Sequence, residues 1–234
     1  MAVFATGDTH GDLTRLFTCI PHIGGYILDP KEENVLFING DFGVIFSNVP
    51  TPREKKILNA LAKLPYITMV VDGNHENHPR LYSLQETTIF NGKVGVLKKG
   101  KVFCCRRGEI YTIQGKKFFT FGGATSIDRY LRIPGVSWWK EEVPSPAEMD
   151  HGLQMLEDNQ YAVDYIMAHT APEDIAKKLI EQSGSFFNDP DPTRKYLEHV
   201  CKSVTFEKFY CGHWHVNCTI DRYNFLYEDI VKIF

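Results

Sequence analysis

The sequence predicts an α/β fold in which two β-sheets are flanked by helices, within one domain spanning residues 1–234. Three observations lead there. Short apolar runs end repeatedly in polar blocks, most of them anchored by glycine, as buried strands do where they meet a loop. Strong helix-start signals fall between several of those runs. The middle of the chain replaces this alternation with closely spaced short strands and turns.

In chain order, residues 2–5 form the first apolar run, ahead of Gly7-Asp8-Thr9-His10-Gly11. Val35-Leu36-Phe37-Ile38 follows, ahead of Gly40-Asp41. Thr51-Pro52-Arg53-Glu54 then predicts a helix start. Its threonine can accept from a free backbone N–H while the glutamate reaches back. Its proline sits where a missing N–H costs nothing. Ile67-Thr68-Met69-Val70-Val71 precedes Gly73-Asn74-His75-Glu76. Residues 94–97, 102–106, 109–113 and 118–121 then read as a β-meander, divided by turn signals such as Lys99-Gly100 and Gln114-Gly115. Ser145-Pro146-Ala147-Glu148 and Thr170-Ala171-Pro172-Glu173 repeat the capping pattern and predict two more helices. Between them, Tyr165-Ile166-Met167-Ala168 precedes His169-Thr170. Asp191-Pro192 starts a fourth helix, through about residue 200, and residues 206–210 precede Gly212-His213-Trp214-His215. Residues 122–143 and 183–191 read as long loops, and such loops in compact domains are often functional.

Bulk properties narrow the function. The chain is 43% hydrophobic and 24% charged, which suits a sizeable core rather than disorder. A net charge of −3 and a pI near 6.3 argue against an extended nucleic-acid surface, though not against a small nucleotide substrate. Cys19, Cys104, Cys105, Cys201, Cys211 and Cys218 show neither a C-x-x-C pair nor the density of a disulfide scaffold. They read as reduced, mostly buried thiols. The opening Met1-Ala2-Val3-Phe4-Ala5 is too short for a signal peptide, and no apolar stretch approaches the roughly 18 residues of a membrane span. The expected setting is cytoplasmic.

The polar blocks carry the chemistry. They gather Asp8, His10, Asp41, Asn74, His169, His213 and His215 at the ends of apolar runs. In Asp8-x-His10 the two side chains are two positions apart, so on an extended backbone both face one way and can reach one ion. His213-x-His215 repeats the spacing. Any one of these histidines would ordinarily read as a hydrogen-bonded polar residue; the set reads as a metal site. Oxygen and imidazole donors without thiolate suit divalent first-row ions, manganese foremost, with iron, zinc, nickel or cobalt as alternatives. The glycines let the backbone turn sharply and approach an ion. His22, His78, His151 and His199 lie outside every block and are read as non-ligands.

In this order the blocks resemble the calcineurin-like metallophosphoesterases, whose pattern runs D-x-H, G-D, G-N-H-E/D, a lone H, then G-H-x-H. The match spans residues 7 to 215. The resemblance implies a four-layer αββα sandwich, with two mixed sheets, holding two divalent metal ions at its strand ends. It assigns Asp8, His10 and His215 to the first ion, Asn74, His169 and His213 to the second, and Asp41 to both. His75 becomes the general acid near the leaving group, and Glu76 reads as a structural carboxylate. The chemistry has its own logic. Asp8, Asp41 and a bridging hydroxide leave two divalent ions with a small positive surplus, which attracts a phosphate ester and stabilises charge developing at its transition state. Ions about 4 Å apart activate water and clamp phosphoryl oxygens for in-line displacement. A leaving alkoxide needs a proton, which His75 is placed to give.

One departure stands out. The protein-phosphatase branch of that family usually reads G-D-x-x-D-R at the second block, where this chain has Gly40-Asp41-Phe42-Gly43-Val44-Ile45. Val44 and Ile45 replace an aspartate that would orient the histidine and an arginine that would bind phosphate. Arg129 and Arg132, in the loop after Gly122-Gly123, are the candidate replacements, because arginine clamps phosphate bidentately. Trp138 and Trp139 are candidates for stacking on a base or aromatic leaving group, set against the plainer role of covering a core edge.

The expected function is hydrolysis of a phosphomonoester or a small phosphodiester, with a phosphorylated small molecule, nucleotide or phosphopeptide as substrate. A metal-stabilised binding scaffold is the alternative from another class; retention of His75 weighs against it. A nuclease of the same family is disfavoured by the acidic balance.

Overall fold

The computed structural model describes residues 1–18, 22–23, 26–27, 34–184 and 190–234. In chain order the first elements are β1 (Val3–Thr6), α1 (Thr14–Thr18), β2 (His22–Ile23), β3 (Tyr26–Ile27), β4 (Asn34–Asn39), α2 (Pro52–Leu61), β5 (Tyr66–Val71), α3 (His78–Tyr82), β6 (Glu86–Ile89), β7 (Gly92–Lys98) and β8 (Val102–Cys105). They continue with β9 (Ile110–Ile113), β10 (Lys116–Phe121), α4 (Pro146–Asp158), β11 (Tyr165–Ala168), α5 (Glu173–Ser183), α6 (Pro192–Ser203), β12 (Lys208–Cys211), β13 (Cys218–Ile220), β14 (Tyr223–Phe225) and β15 (Val231–Lys232).

Two mixed sheets result, and both keep parallel strands at their centre. The seven-stranded sheet has the order β15-β1-β4-β5-β8-β7-β6, and the six-stranded sheet the order β13-β14-β12-β11-β10-β9. Strands β1, β4, β5 and β8 run parallel, as do β10, β11, β12 and β14. Antiparallel strands close the edges.

Period-two alternation explains how continuous apolar runs serve two faces at once. Val3, Ala5, Val35, Phe37, Met69 and Val71 of the first sheet meet Phe118, Tyr165, Met167 and Tyr210 of the second in one buried cluster. The intervening Phe4, Leu36, Ile38 and Val70 pack with Leu16, Leu58, Leu61 and Leu81 from α1 to α3. On the second sheet, Phe119, Phe121, Ile166, Ala168 and Phe209 pack with Leu156, Ile175, Leu197 and Val200 from α4 to α6. Helices therefore flank two sheets that share an apolar interior, as the residue pattern predicts.

Several expectations need correction. The segment read as one meander is divided between the sheets: β7 and β8 pair in the first, β9 and β10 in the second. The crossing falls at Gly108, whose φ is +83° and where an added Cβ would lie 2.7 Å from the Gly152 Cα. The full capping box forms only at Ser145, whose hydroxyl accepts from Glu148 N while the Glu148 carboxylate accepts from Ser145 N. At Thr51 the hydroxyl accepts from Glu54 N at 3.1 Å, but the Glu54 carboxylate is taken by Arg80. No box forms at Thr170, because Pro172 rather than Thr170 is the N-cap and Glu173 lies 2.9 Å from Arg194. The fourth helix runs three residues past its expected end, and the last predicted strand is shifted to Lys208–Cys211. Residues 122–143 form the expected long connection, with 3-10 turns at Arg129–Leu131 and Lys140–Glu142.

Cys104, Cys105, Cys201 and Cys211 are buried free thiols and Cys218 is partly buried. Cys19, the His22 side chain and residues 185–189 of the second predicted loop lie outside the described residues. No helix among the described residues is long and apolar enough to cross a membrane.

Candidate metal centre

Parallel strands in register end at one level, so the loops leaving them meet. Asp8 follows β1, Asp41 follows β4, Asn74 follows β5, His169 follows β11 and His213 follows β12. Ligand sites at the carboxyl ends of strands are the rule for open α/β sheets. The meeting is close enough to demand glycine. At Gly40, with φ +88°, an added Cβ would lie 1.8 Å from His169 Nδ1. At Gly73 it would lie 2.1 Å from Asp41 Oδ1.

The backbone at the site is not extended. His10, Asp41, His213 and His215 have φ of 46°, 46°, 69° and 50°. Such angles are uncommon away from glycine and concentrate at functional sites. They also correct the reading of His213 and His215 as neighbours facing one ion. With the backbone left-handed at both, the rings diverge. His213 Nδ1 lies 3.1 Å from Asn74 Oδ1 and 3.2 Å from His169 Nε2. His215 Nε2 instead lies 3.0 Å from His10 Nε2 and 3.9 Å from Asp8 Oδ2.

Two donor clusters emerge, joined by one carboxylate. Asp41 Oδ2 is 3.8 Å from His10 Nε2, on the side of Asp8 and His215. Asp41 Oδ1 is 3.4 Å from His169 Nε2, which is itself 2.9 Å from Asn74 Oδ1. Asp8, Asp41 and His169 each bring a ligand atom within 4.8 Å of the others. The structure thus gathers every residue expected to hold a metal. His75 stands at the edge: its backbone N–H donates to Asp41 Oδ1 at 2.9 Å and its Nε2 lies 3.8 Å from Asp41 Oδ2.

The donor set fits cations. Asp8 Oδ2 is buried and accepts no hydrogen bond. Burial pushes the Asp8 carboxyl up to about 7, against the pull of His169. Burial pushes Asp41 up too, but His169, His75, His10 and His213 outweigh it and hold it below the usual range. His213 is lowered to about 3 by burial and by His169. His169 Nδ1 lies 3.1 Å from the Asn39 carbonyl, a contact that as Nδ1–H donation leaves the Nε2 lone pair facing Asp41 and Asn74. Carboxylate oxygens short of partners beside imidazole lone pairs are what a divalent ion satisfies.

Residues outside the expected donor set hold those donors in place. Asn74 Nδ2 donates to Ser126 Oγ at 3.0 Å, and Ser126 Oγ donates to Glu142 Oε2 at 2.5 Å. Glu142 is fully buried and also accepts from Ser126 N. This chain fixes the Asn74 amide so that its oxygen faces His169 and His213. Glu76 accepts from Gly43 N and Gly73 N, which makes it a brace between two ligand loops, and burial pushes it up to about 8. His78, read as a non-ligand, is buried and bonds the Gly73 carbonyl at 3.0 Å. Arg107 pairs with Asp72 and donates to the carbonyls of Glu141 and Glu142. A Ser after Gly122-Gly123 at a strand end was a usable signal. Glu142, in Lys140-Glu141-Glu142, had none.

A cavity of about 410 Å³ opens over the centre, lined by Asp41, Asn74, His75, Ile127, Asp128, His213, Trp214 and His215. Arg132 reaches its edge: Nη2 lies 3.5 Å from His75 Nε2, while Asp128 holds the guanidinium through bonds of 2.7 Å. Arg129 is exposed and is not among the described residues lining the cavity. Trp139 is buried, edge-on to Phe46 at 5.3 Å, and Trp138 is half-buried; neither lines the cavity. Val44 and Ile45 sit in the apolar cluster between the first sheet and its helices, which accounts for their side-chain type.

The sequence matches no protein-family model and no curated protein.

Proposed function

We propose that this chain is a metal-dependent phosphoric ester hydrolase with the calcineurin-like metallophosphoesterase fold. One observation carries the reading: the two oxygens of Asp41 face separate donor clusters, with His75 beside them. Asp8, His10, Asp41 and His215 would hold one divalent ion; Asp41, Asn74, His169 and His213 would hold the other. When bound, such ions supply the Lewis-acid charge that lets a phosphoryl centre accept a nucleophile.

The chain's own groups do the rest. His75 Nε2 faces the cavity edge and holds the proton that the leaving oxygen takes. Burial lowers the His75 pKa, Asp41 opposes this, and Arg132 lowers it further, so the protonated ring is a stronger acid but is populated in a smaller fraction of molecules at neutral pH. Arg132, held by Asp128, takes over the phosphate-binding role that Ile45 cannot perform. Ile127 and Trp214 give the cavity an apolar side.

Metal analysis after reconstitution with manganese should give about two ions per chain, as a two-ion centre requires. Mono- or bis-(4-nitrophenyl) phosphate should then be cleaved, and His75→Ala should lower kcat by about 10²- to 10⁴-fold while leaving metal content intact. Fewer than about one ion per chain, or turnover indifferent to His75, would remove the hydrolase reading. Metal bound without turnover would favour a binding scaffold.

A further inference from the structure

The cavity over the candidate metal centre is short of positive charge. Among the described residues that line it, Asp41 and Asp128 are acidic and none is a lysine or an arginine. Arg132 reaches its edge, but the charge of that guanidinium is already matched. Nε and Nη2 each donate to the Asp128 carboxylate at 2.7 Å, and Nη1 donates to the Ser137 carbonyl at 3.3 Å. The bonds from Arg132 hold the Asp128 carboxyl below its usual range, so it is ionised at neutral pH. Arg15 and Arg53 donate to the carbonyls of Gly7, Asp8 and Gly11, and neither lines this cavity.

This balance separates the two classes of ester that a phosphoric ester hydrolase could take. A phosphomonoester carries close to two negative charges at neutral pH, because its second pKa is about 6, whereas a phosphodiester carries one. Arg132 can still donate to a phosphoryl oxygen through Nη2, which lies 3.5 Å from His75 Nε2. A donor whose charge is offset suits a monoanion. The second charge of a monoester would meet Asp128 with no lysine or arginine in the wall to answer it, and like charges brought together at a binding site cost affinity. Shape agrees with charge. About 410 Å³ lies within the range that holds a small organic molecule. Ile127 and Trp214 offer apolar wall for a second substituent, besides the arm that leaves next to His75.

We propose that the substrate is a monoanionic phosphodiester, and that Asp128, paired with Arg132, is the residue that disfavours a dianionic monoester. The assignment deepens the hydrolase reading above and rests on it. The reaction bonds water's oxygen to phosphorus, breaks the bond from phosphorus to the leaving oxygen and gives that oxygen a proton. Its products are an alcohol and a phosphomonoester. The monoester is the charge type that the pair disfavours, so it departs without a second cleavage.

The full chain, reconstituted with manganese, is assayed at pH 8 on bis(4-nitrophenyl) phosphate and on 4-nitrophenyl phosphate, which share a leaving group. The diester should be favoured in kcat/KM by roughly tenfold or more, with 4-nitrophenyl phosphate accumulating as its product. Asp128→Asn keeps the shape and removes the charge, and should shift the ratio about tenfold toward the monoester. Asp128→Glu should retain the diester preference. Arg132→Gln leaves Asp128 unmatched and should move the ratio the other way, whereas a purely structural role for the pair would move Asp128→Asn and Arg132→Gln alike. Calorimetric titration reads the same selectivity without chemistry. Phenylphosphonate, a dianion at pH 8, should bind more weakly than its monomethyl ester to the wild type, and the gap should close in Asp128→Asn. A wild type that favours the monoester, or a ratio that Asp128→Asn leaves in place, overturns the diester assignment and leaves the hydrolase reading standing. Cleavage of neither ester with metal bound overturns the hydrolase reading, and the assignment falls with it.

Discussion

Asp41 joins the two donor clusters because its left-handed backbone aims both carboxylate oxygens into the centre, each toward a different histidine. Asn74 is a weaker donor by nature, since a neutral amide can turn either its oxygen or its nitrogen inward. Ser126 and Glu142 remove that choice by engaging the nitrogen. Ser126→Ala should therefore weaken metal binding by about 10- to 100-fold, as loss of a group that orients a ligand commonly does. Calorimetric titration of manganese into both proteins measures the effect, and equal affinities would show that Asn74 needs no such brace. At this scale the clustering of these donors was legible because their types and glycine neighbours seldom recur together at the ends of apolar runs. Glu142 was not, because a glutamate in a charged run reads as solvated until the fold buries it. Arg132 was legible only as one of two loop arginines; the fold separates it from Arg129 by bonding it to Asp128.

Elements place these residues through their ends. The β-strands supply loops at one level, and the helices return the chain for the next strand. Where helix starts are well satisfied, their contribution is measurable. Ser145 is reciprocally bonded with Glu148, so Ser145→Ala should cost about 1 kcal/mol. In a chain of this size that is a fall of roughly 2–4 °C in Tm. Thermal unfolding followed by circular dichroism would register it, and an unchanged Tm would mean that Pro146 alone suffices to start α4. Strand positions were readable from apolar runs because burial on both faces demands them. The change of sheet after β8 was not. It depends on the close packing of Gly108 against Gly152, from segments far apart in sequence, and turn signals mark a turn without saying which sheet follows. The box at Thr170 failed for a similar reason, since Arg194 of α6 lies beside Glu173.

At the scale of the whole molecule, two sheets bring their loops to a single centre in which Asp8, Asp41, Asn74 and His169 are buried, and that concentrates titratable groups whose protonation the folded state must accommodate. Without metal, the sign follows group by group. Asp8 is raised from 3.8 to about 7, Glu76 from 4.5 to about 8, and His169 is raised above 6.5. Each favours folding when protonated, so its contribution is complete below the unfolded value and is lost as pH rises through the folded one. His10, His75 and His213 are lowered and Asp41 is lowered, so these act in the opposite sense, but only below about their unfolded values of 6.5 and 3.8. Between pH 6.5 and 8 only the raised groups remain, and the metal-free protein should lose stability as pH increases. The slope is at most about 1.4 kcal/mol per pH unit for each proton involved. Ligation of an ion by these groups would remove the same proton from Asp8 and require a neutral His169, so on the proposed reading ions compete with protons for the site. Stabilisation by manganese should therefore grow across the very window in which the metal-free protein weakens. Thermal unfolding at pH 6.5 and pH 8, with a chelator and with excess manganese, would show a larger metal-induced rise in Tm at pH 8. Asp8→Asn should flatten both trends, because it replaces a titrating carboxylate among the candidate ligands with a neutral amide. Equal metal-induced shifts at the two pH values, or none, would mean that these buried groups are not what the ions bind.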